Sequence, residues 1–169
     1  MATEKKYKLT DVCITIGGRD LYRIEALKDF DWVKKGDKGG FIESENNLSQ
    51  EYNCWVYGDA VVYGDAVVCG NVYVFGNAVV YDNARVSGNA EVFGNARVVN
   101  NADYIVFKNW WSSGRYFTWT RSNNMWRVGC FYGTGEELIA KAYKDSELSG
   151  KEYERVVKYV ESILKEDLL

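Results

Sequence analysis

One period organises the middle of this chain. Valine recurs every sixth residue at Val56, Val62, Val68, Val74, Val80, Val86, Val92 and Val98. Ala60, Ala66, Val72, Ala78, Ala84, Ala90, Ala96 and Ala102 hold a second apolar position at the same spacing. As far as Ala96 each of these precedes a valine by two positions, and residues two apart on a strand face the same way. Each hexad therefore reads as a short strand that turns its apolar pair inward. The steps between, such as Gly64-Asp65 and Gly76-Asn77, suit tight corners, because Gly and Asn tolerate the left-handed backbone region. So short a unit cannot bury its own apolar pair and must stack on copies of itself, which is the construction of a β-solenoid.

The remaining composition removes whole classes of function. The 169 residues contain no histidine and no proline. Imidazole general-base catalysis, histidine-activated nucleophiles and histidine metal ligands are excluded. A net charge of −3 argues against general nucleic-acid binding, which draws on a dominant basic face. The four cysteines, Cys13, Cys54, Cys69 and Cys130, form no CxxC pair, so the expectation is reduced and mostly buried thiols, with neither a metal cage nor a disulfide framework. The first residues lack the apolar core of a signal peptide and no stretch has the apolar length of a bilayer span. The expected location is the cytoplasm, with no membrane partner.

The hexads resemble those of the hexapeptide-repeat family, whose left-handed parallel β-helix takes three hexads per triangular coil. The match runs over Cys54 to Ala102 and extends back through Leu48 to Ile42, implying about three coils. Acyltransferases and γ-class carbonic anhydrases of this family depend on histidines, so none of their site residues carries over and a hexapeptide-type transferase is disfavoured. Across the whole chain, "LYRIEALKDFDWVKKGDKGGFIESENNLS" and "NWWSSGRYFTWTRSNNMWRVGCFYGTGEEL" resemble the flanks of phage and prophage hexapeptide-repeat proteins of unassigned activity. That resemblance implies a homotrimer and, for a phage-encoded chain, the host cytosol.

With three hexads per coil, residues eighteen apart stack. One outer face then carries Trp55, Tyr57, Tyr73, Phe75, Glu91 and Phe93, a second Val61, Tyr63, Val79, Tyr81, Arg97 and Val99, and a third Val67, Cys69, Arg85, Ser87 and Asp103. Apolar walls mark contact surfaces. One is expected to be covered by the chain's own flanks and another to form the subunit interface, with Tyr57, Phe75, Phe93, Tyr63 and Tyr81 as interface residues.

The sequence divides into an N-terminal hairpin cap (1–41), the β-helix (42–103) and a C-terminal α+β subdomain (104–169). Alternation around Gly17-Gly18 predicts the first hairpin. "KKGDKGG", with Lys34, Lys35 and Lys38, reads as a solvated turn rather than a phosphate loop. After Ala102, "YIVFK", "RYFTWTR" and "MWRVGCF" predict a strand and an antiparallel hairpin, with Arg115, Phe117, Trp119 and Arg121 on one face and Tyr116, Thr118 and Thr120 on the other. Thr134 with Glu137 and Ser149 with Glu152 fit the capping-box spacing, predicting helices that start near Gly135 and Gly150. The stripe Tyr153, Val156, Val157, Val160, Ile163 and Leu164 should pack the second helix on the hairpin.

Trp110, Trp111, Trp119 and Trp126 crowd into seventeen residues, interleaved with Lys108, Arg115, Arg121 and Arg127. Aromatic faces stack on flat rings and arginines clamp phosphates, so these eight are the candidate ligand-binding residues, with no cofactor and no metal assigned. The functional expectation is a non-catalytic phage-type protein that sequesters a small anionic ligand, a nucleotide immune signal, against bacterial anti-phage defence. A module docking on a host or phage protein is the alternative. An enzyme using Glu136 or Asp103 beside Arg121 ranks last, since no pair of carboxylates shares a face.

Overall fold

A computed structural model gives the fold of residues 4–167. The solenoid strands are β3 (Lys38–Ile42), β4 (Trp55–Val56), β5 (Val61–Val62), β6 (Val67–Val68), β7 (Tyr73–Val74), β8 (Val79–Val80), β9 (Arg85–Val86), β10 (Glu91–Val92) and β11 (Arg97–Val98), preceded by β1 (Tyr7–Ile16) and β2 (Arg19–Ala26). Strands three hexads apart pair in parallel, Trp55 against Tyr73 and Tyr73 against Glu91. The result is a prism of about three turns with walls β4-β7-β10, β3-β5-β8-β11 and β6-β9, the last joined by Leu48 against Val68. The chain is mainly β, as the hexad period requires.

The interior follows the period residue by residue. The valines from Val56 to Val98 at hexad spacing are fully buried, and the alanines from Ala60 to Ala96 are at most 1% exposed. Most corners turn on glycines with positive φ, and one on Asp82 (φ 54°). At Gly70 (φ 80°) a Cβ would stand 3.0 Å from the carbonyl oxygen of Gly88 in the next coil, so close stacking and backbone conformation both call for glycine.

The wall direction is polar, because each coil sends its N–H groups to carbonyls of the following coil, as Trp55 does to Val72 and Tyr73 to Ala90. The first coil is left with free carbonyls and the last with free N–H groups. Donors close the first end. Lys6 Nζ donates to the carbonyls of Cys54 (2.8 Å), Tyr52 (3.3 Å) and Glu51 (3.4 Å), and the Tyr7 hydroxyl donates to Leu48 O (2.6 Å). Acceptors close the last end on all three walls. Glu91 N–H donates to Thr118 Oγ1 (2.9 Å), Arg97 N–H to Ser122 Oγ (2.7 Å), and Arg85 N–H to Asn101 Oδ1 (3.0 Å). Unpaired strand edges would otherwise be buried without partners or left open to other chains.

The flanks supply these caps. The hairpin β1–β2 turns on Gly17-Gly18 and pairs antiparallel with β3, extending one wall. Tyr7, Ile24 and Ala26 join the prism core, while Leu21, Ile14 and Ile16 pack with Phe41, Val61, Tyr63 and Val79 on the outer side of that wall.

At the other end β12 (Tyr104–Lys108), β13 (Tyr116–Thr120), β14 (Met125–Val128) and β15 (Phe131–Gly133) form an antiparallel sheet, followed by α1 (Gly135–Asp145) and α2 (Glu147–Glu166). One sheet face, with Thr118, Tyr104 and Val106, lies on the prism, and the other buries Phe117, Trp119 and Trp126 against Leu138, Tyr153, Val157 and Val160 of the helices.

Three sequence expectations are corrected. "MWRVGCF" reads as one hairpin arm, whereas the chain turns at Gly129 and starts a further strand, β15, only three residues long. The second helix starts at Glu147, not near Gly150: Ser146 Oγ accepts from Ser149 N–H, and Ser149 lies inside the first turn. Buried thiols are the exception, since Cys54 is buried, Cys69 is half-buried, and Cys13 and Cys130 are exposed at a strand edge and a turn.

Candidate functional site

The eight candidate residues separate by environment. Trp119 and Trp126 face each other across β13 and β14 and are at most 1% exposed, so both rings are core, with Trp119 Nε1 donating to Asn124 Oδ1 (2.9 Å). Trp111 packs edge-on to Tyr153 with ring centroids 4.9 Å apart, and its Nε1 is buried without a partner among the described residues. Arg121 pairs with Asp167 (2.6 Å) and donates to Ala102 O (3.2 Å). Arg127 pairs with Glu91 (3.0 Å) and lies over the Phe93 ring. These five tie the sheet to the helices or to the prism. The sequence mixes them with the others because core aromatics and ligand cages have the same composition.

The side chains of Lys108, Trp110 and Arg115 have neither a hydrogen bond nor an ion pair among the described residues. Lys108 stands opposite Tyr116 in register, its ammonium 5.9 Å from that ring centroid. Trp110 is 72% exposed. Among the described residues the Arg115 guanidinium has neither an ion pair nor a hydrogen bond; only its backbone is engaged, by Ser113 Oγ and by Asn109 N–H.

Arg115 borders a cleft of about 450 Å³ between the prism and the sheet. The prism side is a corner on which Asn53, Asn71 and Asn89 recur once per coil, with Asn71 Nδ2 donating to Asn89 Oδ1 (3.3 Å). Rungs of such a ladder are about 4.8 Å apart. Tyr73, whose hydroxyl donates to the Asp31 carboxylate, and Tyr116 supply aromatic surface. Glu91 also faces the cleft, neutralised by Arg127. Gly129 forms the floor beneath Arg115: at φ 56° it holds a conformation that side chains disfavour, and a Cβ there would stand 3.6 Å from the guanidinium. The sequence analysis does not single out these asparagines, and their recurrence at intervals of eighteen is the signal that sets them on one line.

A second cleft of about 330 Å³ shares Arg115 and Gly129 with the first and continues toward the helices past Asn109, Ser112, Cys130 and Tyr153. Asn109 Nδ2 donates to the Tyr153 hydroxyl (3.1 Å), and Ser112 Oγ donates to Asn109 Oδ1 (3.0 Å). Burial pushes the Tyr153 hydroxyl above its ordinary pKa, so it stays a neutral donor and acceptor.

The other sequence candidates have local structural roles. Asp29 and Asp37 carboxylates occupy the backbone N–H groups of Lys35 and Lys34, which fills the "KKGDKGG" turn from within. Asp103 caps the end of the prism by accepting from Val99 N–H (2.7 Å) and Asn100 N–H (2.9 Å), and Glu136 is exposed in the first turn of α1. Tyr57 stacks on Phe75 at 4.6 Å, Phe75 leads to Phe93 at 5.7 Å, and Phe93 meets Tyr132 of the C-terminal sheet at 4.8 Å. Tyr63 and Tyr81 stack at 5.3 Å on the wall that the N-terminal hairpin extends. Among the described residues no three of Cys, Asp and Glu converge as metal ligands, and no helix is long and apolar enough to cross a membrane. No protein-family model matches the chain, and a search of curated proteins gives no match.

Proposed function

We propose that this protein is a non-catalytic binder of a small anionic ligand, held in the cleft between the asparagine ladder and Arg115. The observation that carries the reading is the unpaired guanidinium. Of the three arginines proposed from sequence, Arg121 and Arg127 have carboxylate partners, whereas Arg115 stands at a polar cleft without one among the described residues. A guanidinium fork matches two oxygens of a phosphate or carboxylate, and the nearby amides and tyrosine rings suit the edge and face of a flat heterocycle.

The resemblance to phage hexapeptide-repeat proteins extends this to biology. The ligand is then a nucleotide immune signal, sequestered in the host cytoplasm by a homotrimer built on left-handed β-helices. Sequestration needs affinity without turnover, which agrees with a rigid prism and a chain without histidine. Equilibrium titration with cyclic dinucleotides and ADP-ribose derivatives tests it, comparing the native protein with Arg115→Ala. Binding lost in the variant at unchanged melting temperature supports the reading. No binding at micromolar concentrations sinks it.

A second reading, docking on a host or phage protein, draws on the exposure of Trp110 (72%) and Trp32 (82%), since large exposed aromatics are common contact anchors. A stoichiometric protein partner whose capture is lost in Trp110→Ala, with no small ligand bound, would favour it.

A further inference from the structure

Arg115 is the common border of two clefts, not the end of one. The first cleft presents Asn71, Asn89 and Tyr116, and the second presents Asn109, Ser112 and Tyr153. An anion gripped by this guanidinium therefore has lined space on both sides. A ligand ending in its charged group would fill only one of them.

Charge points the same way. Each cleft carries one carboxylate already matched by a cation, Glu91 by Arg127 in the first and Asp145 by Lys141 in the second. Arg115 is left as a single unneutralised positive charge among the lining residues. A phosphate monoester brings about −1.5 to −2 at neutral pH, more than one guanidinium balances, and the surplus would face Glu91 and Asp145. A phosphodiester brings one negative charge on two non-ester oxygens, the pattern that a guanidinium fork meets through two parallel hydrogen bonds. Its two ester oxygens each carry an organic substituent, so one phosphate can place a group in each of the two clefts that share Arg115.

We infer that the ligand is a phosphodiester with an organic group of nucleoside size on each side of the phosphate, straddling Arg115 with one group in each cleft. This rests on the reading of Arg115 as the anchor and adds the class of molecule it anchors. Asn71 and Asn89 offer amide donors and acceptors to the first group, and Ser112 and Asn109 border the second. Volumes of about 450 and 330 Å³ both lie within the range of small-ligand sites.

The test is a calorimetric or fluorescence titration of the full chain with linear ribodinucleotides and, separately, with the corresponding nucleoside monophosphates, covering all four bases. The expected result is at least one dinucleotide that binds about tenfold tighter or more than either of its monophosphates. Cys130→Phe, a plug in the exposed wall of the second cleft, should erase that advantage, bringing the dinucleotide down to the affinity of its monophosphates. Arg115→Ala should abolish both. Monophosphates binding as tightly as every dinucleotide, or a dinucleotide advantage that survives the plug, would overturn the straddling geometry while leaving Arg115 as an anchor. Failure of both ligand classes to bind, to the native protein and the variants alike, would remove the anchor itself along with the inference.

Discussion

Lys6 Nζ lies 2.8 Å from the carbonyl oxygen of Cys54 and 3.4 Å from its sulfur, with the lysine 1% exposed and the cysteine fully buried. A buried ammonium ordinarily requires a carboxylate, yet this one is held by backbone carbonyls and by the face of Phe30 at 5.1 Å. Burial lowers the Lys6 pKa and raises that of the Cys54 thiol, so each departs from its ordinary value in the direction that favours the neutral form. The lysine serves as a plug for the carbonyl end of the prism.

Lys6→Met keeps the apolar stem and removes the donor, leaving carbonyls of the first coil without a partner. The expected loss is about 1–3 kcal/mol of stability, read as a lower urea midpoint at unchanged slope.

At the opposite end Thr118→Val keeps the shape of the side chain and removes the acceptor for Glu91 N–H. A loss of about 1–3 kcal/mol is expected, with faster hydrogen exchange at the Glu91 amide. Thr118→Ser should retain the slow exchange.

Ser146 and Ser149 separate the observed helix start from the one that capping spacing suggests. Ser146→Ala should cost about 1 kcal/mol, because Ser146 Oγ accepts from Ser149 N–H at the N-terminus of α2. Ser149→Ala, in the first helical turn, should change the melting temperature little.

Alkaline pH should weaken the fold through Tyr57. Burial, then the carboxylates of Asp31 and Asp37, push its hydroxyl from 10.0 up to about 12. The folded protein therefore keeps a proton that the unfolded chain releases, and the corresponding stability is complete below pH 10 and lost as pH rises through about 12. Denaturation at a series of alkaline pH values should show a shallower decline for Tyr57→Phe than for the native chain. Equal slopes would place the titration elsewhere.

The prism was legible because its signal is local and repeated: Val56 through Val98 state the strand, the inward face and the stacking interval in every hexad. The flanking hairpins were legible through alternation around Gly17-Gly18 and in "RYFTWTR" and "MWRVGCF". The caps were not. Thr118 and Glu91 are 27 residues apart, and a side-chain oxygen that meets a backbone N–H leaves no period in the sequence. The candidate site was half legible for a related reason. Arg115 and Arg121 each stand two residues from a core aromatic, Phe117 and Trp119, and what divides them is Asp167, 46 residues beyond Arg121, which neutralises one and not the other. Asn53, Asn71 and Asn89 were in plain view, but their joint meaning depends on the sheet that folds back beside them.

Because donors close one end of the prism and acceptors the other, neither cap depends on how many coils lie between. Lengthening by one coil means inserting eighteen residues, the offset between paired Trp55 and Tyr73, and leaves both closures chemically intact. Each insertion would move the C-terminal sheet away from the N-terminal hairpin by about 4.8 Å and add one asparagine rung beside the cleft. The prism is thus an adjustable ruler: reach can change in fixed increments, by duplication of a single sequence unit, without redesign of either end.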